Sequence, residues 1–420
     1  MSIRNYRLYA AGALVSNVGT WMQRVAQDWL VLTELTNHDS TALGIVTGLQ
    51  FLPMLLLAPW TGAIADRVPK RRLLLATQAT LGLAALIGGL LVVTGAAELW
   101  HFYGIALLTG VATALDNPAR QTFVGEMVPA DRLPNAVALN SASFNLGRLV
   151  GPGVAGVIIG VAGSGPALLL NAVTFVAVMG SLLAMRAAEL TPAPRTAGRG
   201  SAREGLSYVR HRPDLQLVLV LIFVLGTFGM NFQLTIALMA TQVYGRGAEE
   251  YGLLGSVMAV GSLSAALLAA RRNEPRLRVL LVALVGFVLA ATAAALAPTY
   301  LVFAVALAAC GLTALTAMTT ANAMVQMRTA PEMRGRVMAL YMAIFFGGTP
   351  VGAPVIGWIG DVLGPRWTIG VGALAVGITL VVVSIWLARH ENVRVSYESQ
   401  RRPRVRIAAV PTHDVPQAAR

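Results

Sequence analysis

Long apolar blocks recur along this 420-residue chain, separated by short polar connections. They fall at about 8–32, 42–65, 73–95, 101–118, 136–161, 165–186, 215–243, 251–270, 277–297, 299–322, 337–360 and 366–388. Each is long enough to cross ~30 Å of hydrocarbon as a helix. A β-barrel would alternate in segments of ~10 residues, a pattern these blocks lack. The blocks predict an all-α integral membrane fold with twelve transmembrane helices. Composition agrees, with 56% hydrophobic and 12% charged residues against roughly 45–50% and 25% in soluble domains.

A net charge of +13 would suit a nucleic-acid partner, but the positions of the cations argue against one. All but four of the 32 Lys and Arg lie in the two tails or in alternate loops; the exceptions are Arg24, Arg148, Arg246 and Arg366. Positive residues favour the cytoplasmic side of a membrane, so both termini are expected there. Lys70 is the single lysine, which suggests a GC-rich bacterial genome and hence a bacterial inner membrane. The first block follows Arg4 and Arg7 but is too long for a signal peptide, and is expected to be a retained helix. Cys310 is the single cysteine, so no intramolecular disulfide can form.

No enzyme chemistry stands out. The five His lie in loops or tails, and no Cys/His cluster has metal-ligand spacing. There is no phosphate-binding Gly-x-x-x-x-Gly-Lys-[Ser/Thr] loop. Neither a cofactor nor a metal is expected, and the energy source should be an ion gradient or the substrate's own.

A charged segment, 187–214, divides the chain into residues 1–186 and 215–390, six spans each, with a basic tail, 391–420, expected to be disordered. Within the linker, Ser201 and Glu204 have capping-box spacing ahead of an amphipathic stretch, predicting a short helix on the membrane surface. The halves repeat. A shift of 201 residues superposes Leu139 on Leu340, Phe144 on Phe345, Gly147 on Gly348, Gly151 on Gly352 and Gly156 on Gly357. Parallel six-span repeats are a transporter device, with the substrate held between them near the midplane.

Three segments carry a resemblance. The inner loop after the second span reads Gly62-Ala63-Ile64-Ala65-Asp66-Arg67-Val68-Pro69-Lys70-Arg71-Arg72. The fifth span has Gly147, Gly151, Pro152 and Gly156, spaced to let another helix approach closely. Asn117-Pro118-Ala119-Arg120-Gln121-Thr122-Phe123 follows the fourth span. Together with Trp21-Met22-Gln23-Arg24 and Asp28-Trp29, these resemble the major facilitator superfamily, in the bacterial branch containing the enterobactin exporter and related efflux proteins. The likeness covers about residues 5–390, and Pro69 departs from the loop's usual second glycine. It implies two pseudo-symmetric six-helix bundles. It also implies that Asp66 caps a neighbouring helix end while Arg67 pairs with a carboxylate on span four, for which Asp116 is the candidate. Gly62 and Arg71 belong to the same gating loop. The fifth-span glycines resemble the superfamily's antiporter motif, with the last glycine displaced by one; simple helix packing is the alternative.

Asn17, Trp21, Arg24 and Asp28 are spaced to share one face of the first span. Charges inside a span face the bundle interior or a wet cavity, because lipid exposure costs several kcal/mol. Arg24 and Asp28 can pair at i,i+4. A carboxylate in a cavity that alternates between wet and dry can exchange a proton, so Asp28 is the candidate coupling residue, with Arg24 beside it. A permanent structural ion pair between the two is the alternative. Further polar residues that could line a cavity are Gln27, Gln50, Asn140, Asn145, Arg148, Asn171, Asn231, Gln233, Asn322 and Gln326. For each amide singly, interhelical hydrogen bonding is the commoner role.

The sequence thus predicts a monomeric secondary transporter, an exporter of small amphipathic drug-like or siderophore-like compounds working by alternating access with proton antiport. An importer or uniporter of the same fold is the first alternative, and a non-transporting scaffold or sensor the second. The topology is testable with cysteines at Asp39 and Ser201 in a Cys310→Ala background, probed on intact cells with an impermeant thiol reagent. Position 39 should label and position 201 should be protected; the reverse pattern would sink the twelve-span topology.

Overall fold

The computed structural model describes residues 3–191, 202–272, 274–390, 394–398 and 404–408. The first half contains α1 (Arg4–Trp29), extended by a wider π-helical turn at Leu30–Leu35, then α2 (Ser40–Arg67), α3 (Lys70–Val93), α4 (Leu99–Met127), α5 (Leu133–Ala162) and α6 (Ser164–Leu183). A short linker helix, α7 (Ala202–Arg210), leads into the second half. There α8 (Pro213–Val224) and α9 (Phe232–Leu238) form one interrupted rod, followed by α10 (Ala248–Ala270), α11 (Leu277–Leu296) and α12 (Tyr300–Arg328). The end-to-end pair α13 (Arg334–Gly347) and α14 (Thr349–Leu363) precedes the last rod, α15 (Pro365–His390).

Counted as rods, the long helices among the described residues number twelve. Ten of them are long and apolar enough to cross a membrane among the described residues. The rods of α1 and α4 have the length but carry internal charges, Arg24 and Asp28 in one, Asp116, Arg120 and Glu126 in the other. Two helices outrun their apolar blocks. α4 continues through Pro118 to Met127, and α12 runs on to Arg328. Both extensions carry polar residues, which end a hydrophobic block without ending a helix.

The 201-residue repeat is visible as packing. Gly147 and Gly151 lie against Asn17 and Trp21 of the first rod; their counterparts Gly348 and Gly352 lie against Thr227 of the seventh. Gly156 abuts Ala248 at the start of α10, and Gly357 abuts Ser40 at the start of α2. The tight turns after α5 and α14 also correspond, with Gly163 at φ +88° and Gly364 at φ +96°. That left-handed backbone suits a residue without a Cβ.

Two further sequence expectations meet the linker and the tail. The capping-box residue Ser201 lies outside the described residues. The helix itself is present and packs on α13, with Glu204 bonded to Arg336 at 2.7 Å and Gly205 against the Arg336 backbone. In the tail, β1 (Arg394–Glu398) pairs antiparallel with β2 (Arg404–Ala408). The rest of the tail lies outside the described residues. Apolar and polar residues alternate in both segments, a strand period that the tail's basic composition conceals.

The halves meet mainly on the side away from α7, through α2 with α14 and α5 with α10. A Cβ on Gly44 would come within 2.5 Å of the Ala353 carbonyl oxygen, and one on Gly156 within 2.6 Å of the Ala248 carbonyl oxygen. On α5 this packing reaches Leu149, whose carbonyl accepts a 2.7 Å bond from Ser256. Toward the linker side the halves part, leaving residues such as Phe144 and Trp60 exposed. The result is a cavity open on the linker side and closed on the other.

Close packing at the repeat glycines predicts a strong asymmetry between glycine sites. A Cβ at Gly352 would overlap the Thr227 carbonyl, whereas nothing lies within 4 Å of one at Gly180. Thermal unfolding in detergent should show Gly352→Ala destabilised by about 1–3 kcal/mol. Gly180→Ala should be neutral or stabilising by about 0.5–1 kcal/mol. Equal effects would refute the packing argument.

Candidate functional site

The polar face of α1 packs toward α5 and α10. Asn17 donates to the Ser143 hydroxyl of α5 at 3.0 Å. Trp21 meets Phe144 edge-on, with ring centres 5.8 Å apart. The Arg24 guanidinium lies 4.9 Å from the Trp21 ring centre, and that of Arg148 lies 5.6 Å from it. Asp28, only 5% exposed, accepts a long 3.4 Å bond from the Tyr251 hydroxyl of α10, while Trp29 stacks on the Tyr251 ring.

The alternative, an Arg24–Asp28 ion pair, is not formed within 4 Å; Arg24 lies against Trp21 instead. A base followed by an acid at i,i+4 is the poorer order for such a pair, because helical side chains lean toward the amino terminus. Asp116 and Arg120 have the better order, acid first, and do pair at 2.9 Å.

Beside Arg24 lies a recess bounded by Thr20, Gln23, Gln27, Gln50 and Phe51 and by Thr109 and Thr113 of α4. Gln27 is 1% exposed, and its side-chain nitrogen has no acceptor. Gln23 is bonded to Asn171 of α6, which also accepts from Thr174 at 2.7 Å, so Asn171 ties helices together.

Other sequence candidates lie elsewhere. Asn145 donates to the Ser141 carbonyl of its own helix, and Gln326 to Asn322 near the linker-side end of α12. Asn140 and Gln233 are half-buried. Asn231 sits at the break between α8 and α9, donating to the Thr227 carbonyl at 2.8 Å. It lines a separate small pocket with Phe228 and Thr368.

The loop motif is rearranged relative to expectation. Asp116 is held by Thr77 at 2.7 Å, Gln78 at 2.8 Å and Arg120, rather than by Arg67, which is exposed. Because α4 continues past Asp116, that carboxylate is enclosed between α3 and α4, and Arg120 lies one turn away. The Asp66 side chain lies outside the described residues, and Gly62 has open space around it. Lys70 pairs with Glu126 at 2.6 Å, and Arg71 donates to the carbonyls of Leu182 and Leu183 at the end of α6. Cations are favourable at such a helix carboxyl terminus.

Sequence reasoning missed the far-side latch. Asp361 of α14 accepts from the backbone nitrogens of Ser40 at 2.8 Å and Thr41 at 2.9 Å, and from the Thr41 hydroxyl. Asp39 accepts from Ala42 at 2.9 Å. The unpaired amides that open α2 are therefore satisfied by two carboxylates, one from each half. Asp361 and Ser40 are 321 residues apart, so no local spacing signals the contact.

A family model described as transmembrane secretion effector matches residues 1–411. The chain is 26% identical to the multidrug efflux pump Tap of Mycolicibacterium fortuitum, over 90% of this chain and 94% of that one. It is 25% identical to the enterobactin exporter EntS of Shigella boydii, over 86% and 87%. The match to the staphyloferrin A transporter of Staphylococcus aureus, at 28% identity, spans 60% of this chain and 63% of that one. Among solved structures, a bacterial homologue of the human lysosomal transporter Spinster, inward-facing and unoccupied, superposes with a TM-score of 0.72. It has 14% identity and covers 92% of this chain and 96% of that one. A D-xylose–proton symporter gives a TM-score of 0.68, with 14% identity over 90% and 96%.

The latch predicts that Asp361→Ala opens the far side. Hydrogen bonds to a charged group contribute about 1.5–3 kcal/mol each. Losing them should therefore raise the far-side opening at least about tenfold. The readout is the thiol-labelling rate of Ser40→Cys, at a fully buried position, in purified Cys310→Ala protein. An unchanged rate would show that Asp361 does not hold the halves together.

Proposed function

Because the chain belongs to the transmembrane secretion effector family, within the major facilitator superfamily of transporters, we propose that it is a proton-coupled exporter of small amphipathic organic compounds. It is a multi-pass membrane transporter and not an enzyme. The full-length relatives whose names state a direction are an exporter and efflux pumps, which supports export here. The cation distribution supports a bacterial inner membrane with the linker side cytoplasmic. On that orientation the cavity described above faces inward, and alternating access opens the side that Asp361 and Tyr251 now close.

The observation that carries proton coupling is the surroundings of Asp28. Asp116 and Glu126, the other strongly buried carboxylates, each have a cationic partner, while Asp28 has none within 4 Å among the described residues. Its one hydrogen bond crosses to the opposite half. A proton gained or lost at Asp28 therefore changes a contact that differs between the two cavity states, as coupling requires. Asp66 and Arg67 keep the gating role their resemblance implies, with Lys70–Glu126 beside them as a further bond at the same end.

The test is Asp28→Asn in proteoliposomes, with a substrate identified by a growth-and-accumulation screen of a deletion strain. Uphill transport driven by a proton gradient should be lost, while gradient-free counterflow persists. Stability separates this role from a structural one. Breaking a buried ion pair costs about 3–5 kcal/mol, whereas the geometry here predicts a loss below about 1 kcal/mol, since Asn can still accept from Tyr251. Gradient-driven transport by Asp28→Asn at the normal rate would end the proposal.

A further inference from the structure

Two cations of the first half are matched by carboxylates: buried Lys70 with Glu126, and half-buried Arg120 with Asp116. Arg24 and Arg148 are different. Each lies against Trp21 and, among the described residues, neither has a carboxylate within 4 Å or a hydrogen-bond acceptor. The nearest carboxylate on the same helix, Asp28, bonds to Tyr251 instead. A third donor points the same way: the Gln27 side-chain nitrogen, buried beside Arg24 in the recess, has no acceptor either.

Two guanidiniums and a buried amide, all donors and all unanswered, form a site that lacks its anion. For the buried Gln27 amide, a donor left unpaired costs about 1–3 kcal/mol; Arg24 and Arg148 are half-buried. Two like charges held against one indole also repel one another. The arrangement becomes favourable when an acceptor with negative charge enters. Guanidinium presents its donors in a planar fork that matches a carboxylate. Around them, aromatic and apolar surface from Trp21, Phe144, Phe51 and Met54 adjoins the polar side chains of Thr20, Gln50, Thr109 and Thr113. The geometry points to an organic anion as the transported substrate: a molecule with a carboxylate held by Arg24 and Arg148, and a flat apolar portion lying along Trp21. This deepens the exporter reading above and rests on it. It narrows the amphipathic compounds to acids and disfavours cationic ones, which these arginines would repel.

Two xanthene dyes of opposite charge, fluorescein as its dianion and cationic rhodamine 6G, probe the site by fluorescence anisotropy. The full chain is held in phosphatidylcholine nanodiscs, so that no anionic lipid competes. Wild-type protein should bind fluorescein at least about tenfold more tightly than rhodamine 6G. Arg24→Gln and Arg148→Gln should each weaken fluorescein about tenfold or more, the worth of one charge-assisted hydrogen bond. Rhodamine 6G affinity should hold or rise in the same variants. Arg148→Lys, which keeps the charge but not the fork, should fall between wild type and Arg148→Gln. Both glutamine variants relieve repulsion, so they should unfold at or above the wild-type temperature, which keeps the binding result interpretable. Equal affinity for the two dyes, or unchanged fluorescein affinity in the folded glutamine variants, overturns the assignment. Fluorescein binding that depends on the arginines, without any proton-driven export, leaves the assignment standing and overturns the exporter reading alone.

Discussion

The architecture depends on backbone meeting backbone where α2 packs on α14 and α5 on α10. Lipid gives no hydrophobic drive for one helix to leave it for another, so association there relies on close packing and on interhelical hydrogen bonds. Glycine supplies the first. Gly44, Gly156 and Gly357 have no room for a Cβ without displacing a carbonyl of the opposite half. Asp361 supplies the second at the end of α2. Because these contacts gather at one end, the other end is left apart, and the cavity with its open linker side follows from where the glycines stand.

Two structural facts then divide the charges into fixed and free. Pairs such as Lys70–Glu126 and Asp116–Arg120 lie within one half, so rocking of the halves need not disturb them. The Asp28–Tyr251 bond and the Asp361 latch join the two halves and must break when the far side opens. An alternating-access machine needs both kinds. Intra-half pairs keep each bundle rigid, and inter-half bonds of modest strength make two states close in free energy. The single long bond at Asp28 belongs to the second kind, while Arg24 and Arg148 form neither kind and lie against Trp21.

The fifth-span glycine motif illustrates how one pattern serves two demands. Gly147 and Gly151 bind α5 to α1 within the half, whereas Gly156 brings the same helix against α10 of the other. Their counterparts do the same in the second half, with Gly352 on Thr227 and Gly357 on Ser40. This packing accounts for the motif's spacing in both repeats.

The helices, the linker and the two-fold repeat could be read from the sequence. Apolar length, cation placement and the 201-residue register are properties of one chain segment compared with another, and membrane insertion acts on segments. The polar face of α1 was legible for the same reason, since helical period alone puts Asn17, Trp21, Arg24 and Asp28 together. Which partner each residue takes was not. Arg24 and Asp28 looked like a pair by spacing, yet their order along the helix disfavours it, and a tyrosine 223 residues away takes the carboxylate. Asp116 looked like a partner for Arg67 until the length of α4 enclosed it beside Arg120, Thr77 and Gln78. Asp361 carried no signal, because its role depends on where the start of α2 arrives from the other half. Hydrophobicity and period are local and additive, so sequence determines them; ion pairs and latches depend on distances of a few ångströms between remote segments, and only the packed bundle decides those.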